Sequence, residues 1–259
     1  MRLAPLLAVL FMSCEPSSQS HLQDAARSAG LLDAHAQPLD LLVLCDPSEF
    51  STCDADSLRE TLDRLVLPVA ASRPGSRVRL YVLGSDIPAR LVASQESTSA
   101  SRPIPKLVAK HETQWRASAL DFFMTAARPS FDSNALRSRI AEALTRIAAA
   151  DPVSDAQRMI IYIGDMRETG VAMFETCHAL PQPEAFLASL DAADLLRPSS
   201  MTGTVVLFTF TSINNARSVQ CDTPARSAAV KALWRAAITR AGGAPTFFDT
   251  YPSTLERKD

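Results

Sequence analysis

The sequence predicts an α/β fold, a single doubly wound and mostly parallel sheet with helices on both faces. Three observations carry that expectation. Short, continuous apolar runs rich in β-forming residues recur along the chain, as strands covered on both faces require. Segments of helical periodicity separate most of them. Turn and cap residues sit where one kind of segment gives way to the other.

The first strand is LDLLVLC (39–45), followed by RVRLYVLG (77–84), RMIIYIG (158–164) and TVVLFTF (204–210). PTFFD (245–249) and ARLVA (89–93) are short edge strands. Between them, Leu58, Leu62, Leu65, Val66 and Val69 fall on one helical face, with Asp54 or Asp56 as cap. Pro68 should kink that helix or end it early. Residues 134–149 form a second helix through Leu136, Ile140, Leu144 and Ile147, with Asp132 and Ser133 at its start. A helix over 183–196 opens on Pro183, an acceptable first-turn position. Another over 225–241 carries Val230, Leu233, Trp234, Ala237 and Ile238 and stops at Gly242-Gly243. A further helix spans Trp115 to Ala127, and residues 94–112 read as a loop.

Composition limits the functional classes. The 259 residues are long enough for a substantial core, and apolar content of 47% with 21% charged residues is ordinary for a globular chain. A formal net charge of −2 gives no electrostatic reason to expect nucleic acid or anionic lipid as partner. Only 8 glycines leave little room for Gly-rich phosphate loops. There is no internal repeat, and no apolar run reaches the roughly 18 residues needed to span a bilayer.

The N-terminus has the shape of a secretory signal: Arg2, an apolar block from Leu3 to Met12, then Ser13, Cys14 and a polar run. FMSC resembles a bacterial lipobox, with Phe11 where that pattern prefers Leu. On this reading residues 1–14 are a signal peptide whose Cys14 is lipidated, residues 15–37 are a flexible tether, and residues 38–259 are the α/β domain. The protein is then an exported periplasmic or cell-envelope lipoprotein, held to a membrane through Cys14. An ordinary cleaved signal peptide is the alternative. Export makes disulfides the default for Cys45, Cys53, Cys177 and Cys221, in any of three connectivities. A zinc site using Cys177 and His178 lacks a supporting CxxC pair.

In a doubly wound sheet, ligands bind beyond the carboxyl ends of the strands. Asp46 and Ser48 leave the first strand there, and Asp165 leaves the strand ending in Gly164. Paired carboxylates with a nearby hydroxyl suit a hard cation such as Mg2+. Strand-end aspartates also cap turns or the helices that follow, and on the residues alone that plainer role is the better reading.

The order of these elements resembles the von Willebrand factor A-type domain, a Rossmann-type topology. That family carries an Asp-x-Ser-x-Ser loop, a Thr from a second loop and an Asp from a third, which together hold a divalent cation. The resemblance assigns Asp46 and Ser48 to the first loop and Asp165 to the third, around Mg2+, Mn2+ or Ca2+. Phe50 stands at the second Ser and offers no oxygen; the Thr has no clear equivalent, and Ser133 and Ser138 are its candidates. The metal-ion-dependent adhesion motif is therefore degenerate. IIYIGDMRET and Leu233-Trp234 through Gly243-Ala244 resemble segments of a less characterised bacterial group of these domains, and the likeness covers roughly residues 38–250. It implies a protein-interaction module.

Cys45 and Cys53 bracket the first loop, and pairing them would staple it; Cys177 and Cys221 would then pair beyond the central strands. The chain has no GxSxG, GxxxxGK[ST] or HExxH motif. The enzymatic alternative is a metal-dependent phosphoesterase using the same carboxylates, with Glu49 or Glu168 as general base. A small-molecule-binding lipoprotein would need two lobes, which a single run of elements does not supply. Arg167-Glu168 reads either as a functional pair at the rim or as a solvated turn.

Overall fold

The computed structural model describes residues 37–47, 53–84, 88–98, 104–131, 138–153, 155–172, 174, 179–211 and 223–250. Its order is β1 (Leu39–Cys45), α1 (Ala55–Thr61), a π-helical stretch (Leu62–Val66), α2 (Leu67–Ala71), β2 (Arg77–Val82) and β3 (Arg90–Glu96). Then come α3 (Pro105–Phe131), α4 (Ile140–Ala148), β4 (Gln157–Gly164), α5 (Pro183–Ala192), β5 (Val205–Thr211), α6 (Pro224–Arg240) and β6 (Ala244–Thr250).

The six strands form one sheet in the order β3-β2-β1-β4-β5-β6. Every neighbouring pair is parallel except β2 with β3, so the antiparallel strand is confined to one edge. This is the predicted α/β class, consistent with a von Willebrand factor A-like fold. The strand order reverses between β1 and β4, the switch point at which such sheets build their crevice.

Strand alternation divides the core in two. Leu41, Val43, Val78, Leu80, Ile161 and Ile163 face α1, α2 and α3. Leu42, Leu44, Ile160, Tyr162, Val206 and Phe208 face α4, α5 and α6. Successive side chains point to opposite faces, so an unbroken apolar run is what burial on both sides demands. The amino-terminal edge is pinned by Asp40, which is fully buried. It accepts from Arg79 at 2.6 Å and Arg158 at 3.1 Å, and Arg158 also donates to the Ala148 and Ala150 carbonyls.

Four helix expectations need correcting. Pro68 does not end the first helix. It falls at the start of α2, and the turn before it widens, with Leu67 N–H donating to Leu62 O. That wider register accommodates a residue without an N–H. Residues 94–112 are not a loop, because β3 runs to Glu96 and α3 starts at Pro105. The α3 stripe of Trp115, Ala119, Phe123 and Ala127 is narrow and begins late, so only the packed part of the helix was visible to a periodicity argument. Within the predicted 134–149 helix, α4 begins at Ile140, and residues 132–137, with the proposed caps Asp132 and Ser133, lie outside the described residues. The third long pattern, 183–196, is helical only to Ala192; Asp194 and Leu196 take left-handed backbone conformations that end it.

Candidate functional site

The structure brings Asp46 and Asp165 to the switch point. Both are buried, Asp165 with 4% of its surface exposed. Asp46 continues the line of β1, and its N–H donates to Ile163 O at 3.0 Å. By alternation it shares a face with Leu44 and Tyr162, and the Tyr162 hydroxyl donates to Asp46 Oδ2 at 3.0 Å.

Gly164 makes that bond possible. A Cβ at Gly164 would lie 2.4 Å from the Tyr162 hydroxyl and 3.0 Å from Asp46 Cβ. The missing side chain is the space through which tyrosine reaches the first strand. Burial, reinforced by the nearby charges of Asp46 and Asp165, holds the Tyr162 hydroxyl well above its ordinary pKa. Tyr162 therefore stays protonated and acts as a donor.

Asp165 is held by its own loop. The Arg167 backbone N–H donates to Asp165 Oδ1 at 3.0 Å, and the Arg167 guanidinium Nε lies 3.4 Å from Oδ2. Both side chains are largely removed from water, at 2% and 11% exposure. The loop is anchored further along. Met166 is buried with φ of 59°, and its carbonyl accepts from the Trp234 indole N–H at 2.9 Å. This bond joins the two sequence segments, one after β4 and one in α6, that carried part of the family resemblance. Phe174 closes the loop by packing against Phe186 and Trp234.

Glu168 is buried and caps α4 from outside the helix. Its Oε2 accepts from Ala141 N–H at 2.7 Å and its Oε1 from Gly170 N–H at 2.5 Å. Burial pushes its pKa up to about 7, although the Ala141, Gly170 and Val171 N–H groups and a helix N-terminus favour its charged form. Arg167 and Glu168 are thus neither a rim pair nor a solvated turn. Both are interior supports of the loop.

The disulfide expected around the first loop is formed. Cys45 and Cys53 are bonded, with Cα atoms 5.7 Å apart, and both are buried. Cys53 immediately precedes Asp54, whose carboxylate caps α1 by accepting from Ser57 N–H at 2.7 Å. Of the candidate hydroxyl ligands, Ser138 is buried ahead of α4, and its carbonyl receives the Thr169 N–H at 3.0 Å. Ser48, Glu49, Phe50, Ser133, Cys14, Cys177, His178 and Cys221 lie outside the described residues.

The cation expected from the resemblance fits these residues poorly. Asp46 Oδ2 already receives a hydroxyl proton, Asp165 faces a guanidinium, and Phe50 supplies no oxygen. A hard divalent ion needs several open oxygen ligands. Among the described residues no group of three or more His, Cys, Asp or Glu is placed to hold a metal.

Sequence reasoning missed the roles of Tyr162, Arg167 and Glu168. One signal was available: the Tyr-x-Gly-Asp run puts a long polar side chain two residues before a residue with none, on the same strand face.

No protein-family model matches the chain, and no curated protein matches it in sequence. Among solved structures it is similar to two crystal forms of proximal thread matrix protein 1 from the mussel byssus, both at 12% identity. The TM-scores are 0.39 and 0.36, over 82% and 81% of this chain. The chain spans 44% and 43% of the length of those structures. At these scores the likeness adds nothing to what the sheet itself shows.

Proposed function

We propose that the protein is an exported, lipid-anchored interaction module that binds another protein through the loops at the carboxyl edge of its sheet. The observation that supports this reading best is the fixed shape of the loop after β4. Met166, Glu168 and Phe174 are buried in it and Trp234 holds it from behind, so Thr169 and Gly170 are presented on a rigid base. Preorganised loops of this kind lower the ordering cost of binding. Glu168, the general base of a hydrolase reading, has both oxygens engaged by backbone N–H groups, one in α4 and one in its own loop.

Site-specific photo-crosslinking in the native cell tests the reading. A crosslinker at Thr169 should trap one discrete partner. A crosslinker at Asp151, beyond α4 near the opposite edge, should not. Equal labelling from both positions, or none from the rim, would defeat the proposal. Export and anchoring are tested separately by fatty-acid labelling, which Cys14→Ser should abolish.

A further inference from the structure

We infer that the Arg167 guanidinium occupies the electrostatic place of a divalent cation, so that this edge is built to work without a metal. The inference concerns the same edge as the proposed function but needs no partner to be true.

Two carboxylates at one buried switch point carry an electrostatic cost. Asp46 and Asp165 are both removed from water, Asp46 directly after β1 with its N–H on Ile163 O and Asp165 two residues beyond that carbonyl, so their charges fall at one place on the sheet. Two buried negative charges require compensation, from a metal ion or from the protein itself. Here the compensation is internal. Tyr162 supplies a proton donor to Asp46 at 3.0 Å, and Arg167 supplies a full positive charge to Asp165 at 3.4 Å.

The backbone that carries Arg167 is held in place. Its backbone N–H is bound to Asp165 Oδ1, Met166 before it is buried in a left-handed conformation, and Glu168 after it is locked to Ala141 and Gly170. A divalent ion brought to Asp165 would meet a fixed like charge a few ångströms away. It would also have to displace the tyrosine proton donor from Asp46. Removing the guanidinium should favour a cation, because the positive charge 3.4 Å from Asp165 Oδ2 would then be gone.

The test is Mn2+ binding to the purified full chain, followed by electron paramagnetic resonance. Wild type should take up no Mn2+ at millimolar concentration, and neither Mg2+ nor a chelator should move its melting temperature. R167Q should gain Mn2+ affinity by at least about tenfold, the effect of removing one like charge at close range. D46A placed on R167Q should abolish that gain. Mn2+ binding by wild type that D46A removes would overturn the inference, as would a folded R167Q that binds no better than wild type. If R167Q does not fold, the wild-type and D46A comparison still decides, and a folded R167K, which keeps the charge, should remain as indifferent to Mn2+ as wild type.

Discussion

The Tyr162 hydroxyl lies 3.0 Å from Asp46 Oδ2, and it reaches there only because residue 164 has no side chain. The acceptor leaves β1, the donor belongs to β4, and the gap between them is the point where the strand order reverses. A single side-chain hydrogen bond thus spans the place where the strand order reverses.

Removing either half of that relationship should destabilise the domain. Tyr162→Phe leaves the buried Asp46 without this donor and should cost about 1–3 kcal/mol. Gly164→Ala forces the tyrosine ring aside, since a Cβ there would lie 2.7 Å from Tyr162 Cζ, and should cost at least as much. Urea unfolding measures both. A Tyr162→Phe midpoint equal to that of wild type would show that the bond contributes nothing.

Glu168 should make stability fall as pH rises toward neutrality. Its folded pKa is raised to about 7 from 4.5, so the native state binds the proton more tightly than the unfolded chain. The associated stability is fully present below 4.5 and is lost as pH rises through 7. A displacement of this size corresponds to about 3 kcal/mol for a group this deeply buried. Denaturation between mildly acidic and mildly alkaline pH should show the decline in wild type and a flatter profile in Glu168→Gln. Identical profiles would remove Glu168 as the cause.

Opening the Cys45–Cys53 bridge releases the first loop from its second anchor. With a sequence separation of 8, the bridge constrains a short loop, and Cys53→Ser should cost about 2–3 kcal/mol by the chain-entropy relation. Both sulfurs are buried, so alkylation under reducing but native conditions should be slow. Rapid alkylation of the folded protein would contradict the packing described here.

Asp40 should matter more than any surface ion pair. Its replacement by Ala leaves the buried Arg79 and the partly buried Arg158 without their shared carboxylate, a loss of about 3–5 kcal/mol. Because Arg158 also holds the Ala148 and Ala150 carbonyls, amide exchange should quicken at the end of α4 before it does in β1. Uniform acceleration across the sheet would argue against this local clamp.

The strands were legible because each is a continuous apolar run, a pattern that burial on both faces requires and few other arrangements tolerate. The edge strand β3 was legible only in part, since Leu91 is half exposed and its polar residues carry no such pattern. The start of α4 at Ile140 was not legible because a cap there is supplied by Glu168, far along the chain. Local signals cannot report a cap delivered by tertiary contact.

By itself, the sequence determined the class of sheet, the positions of its strands and the presence of two aspartates at their carboxyl ends. Periodicity and composition are local properties, and they suffice for that. Tertiary structure alone decided what those aspartates do. Whether a carboxylate is open to a ligand depends on which groups reach it through space. Here a tyrosine reaches Asp46 from the neighbouring strand, a contact that comes into being only when β1 and β4 lie side by side, and an arginine in Asp165's own loop turns back on it.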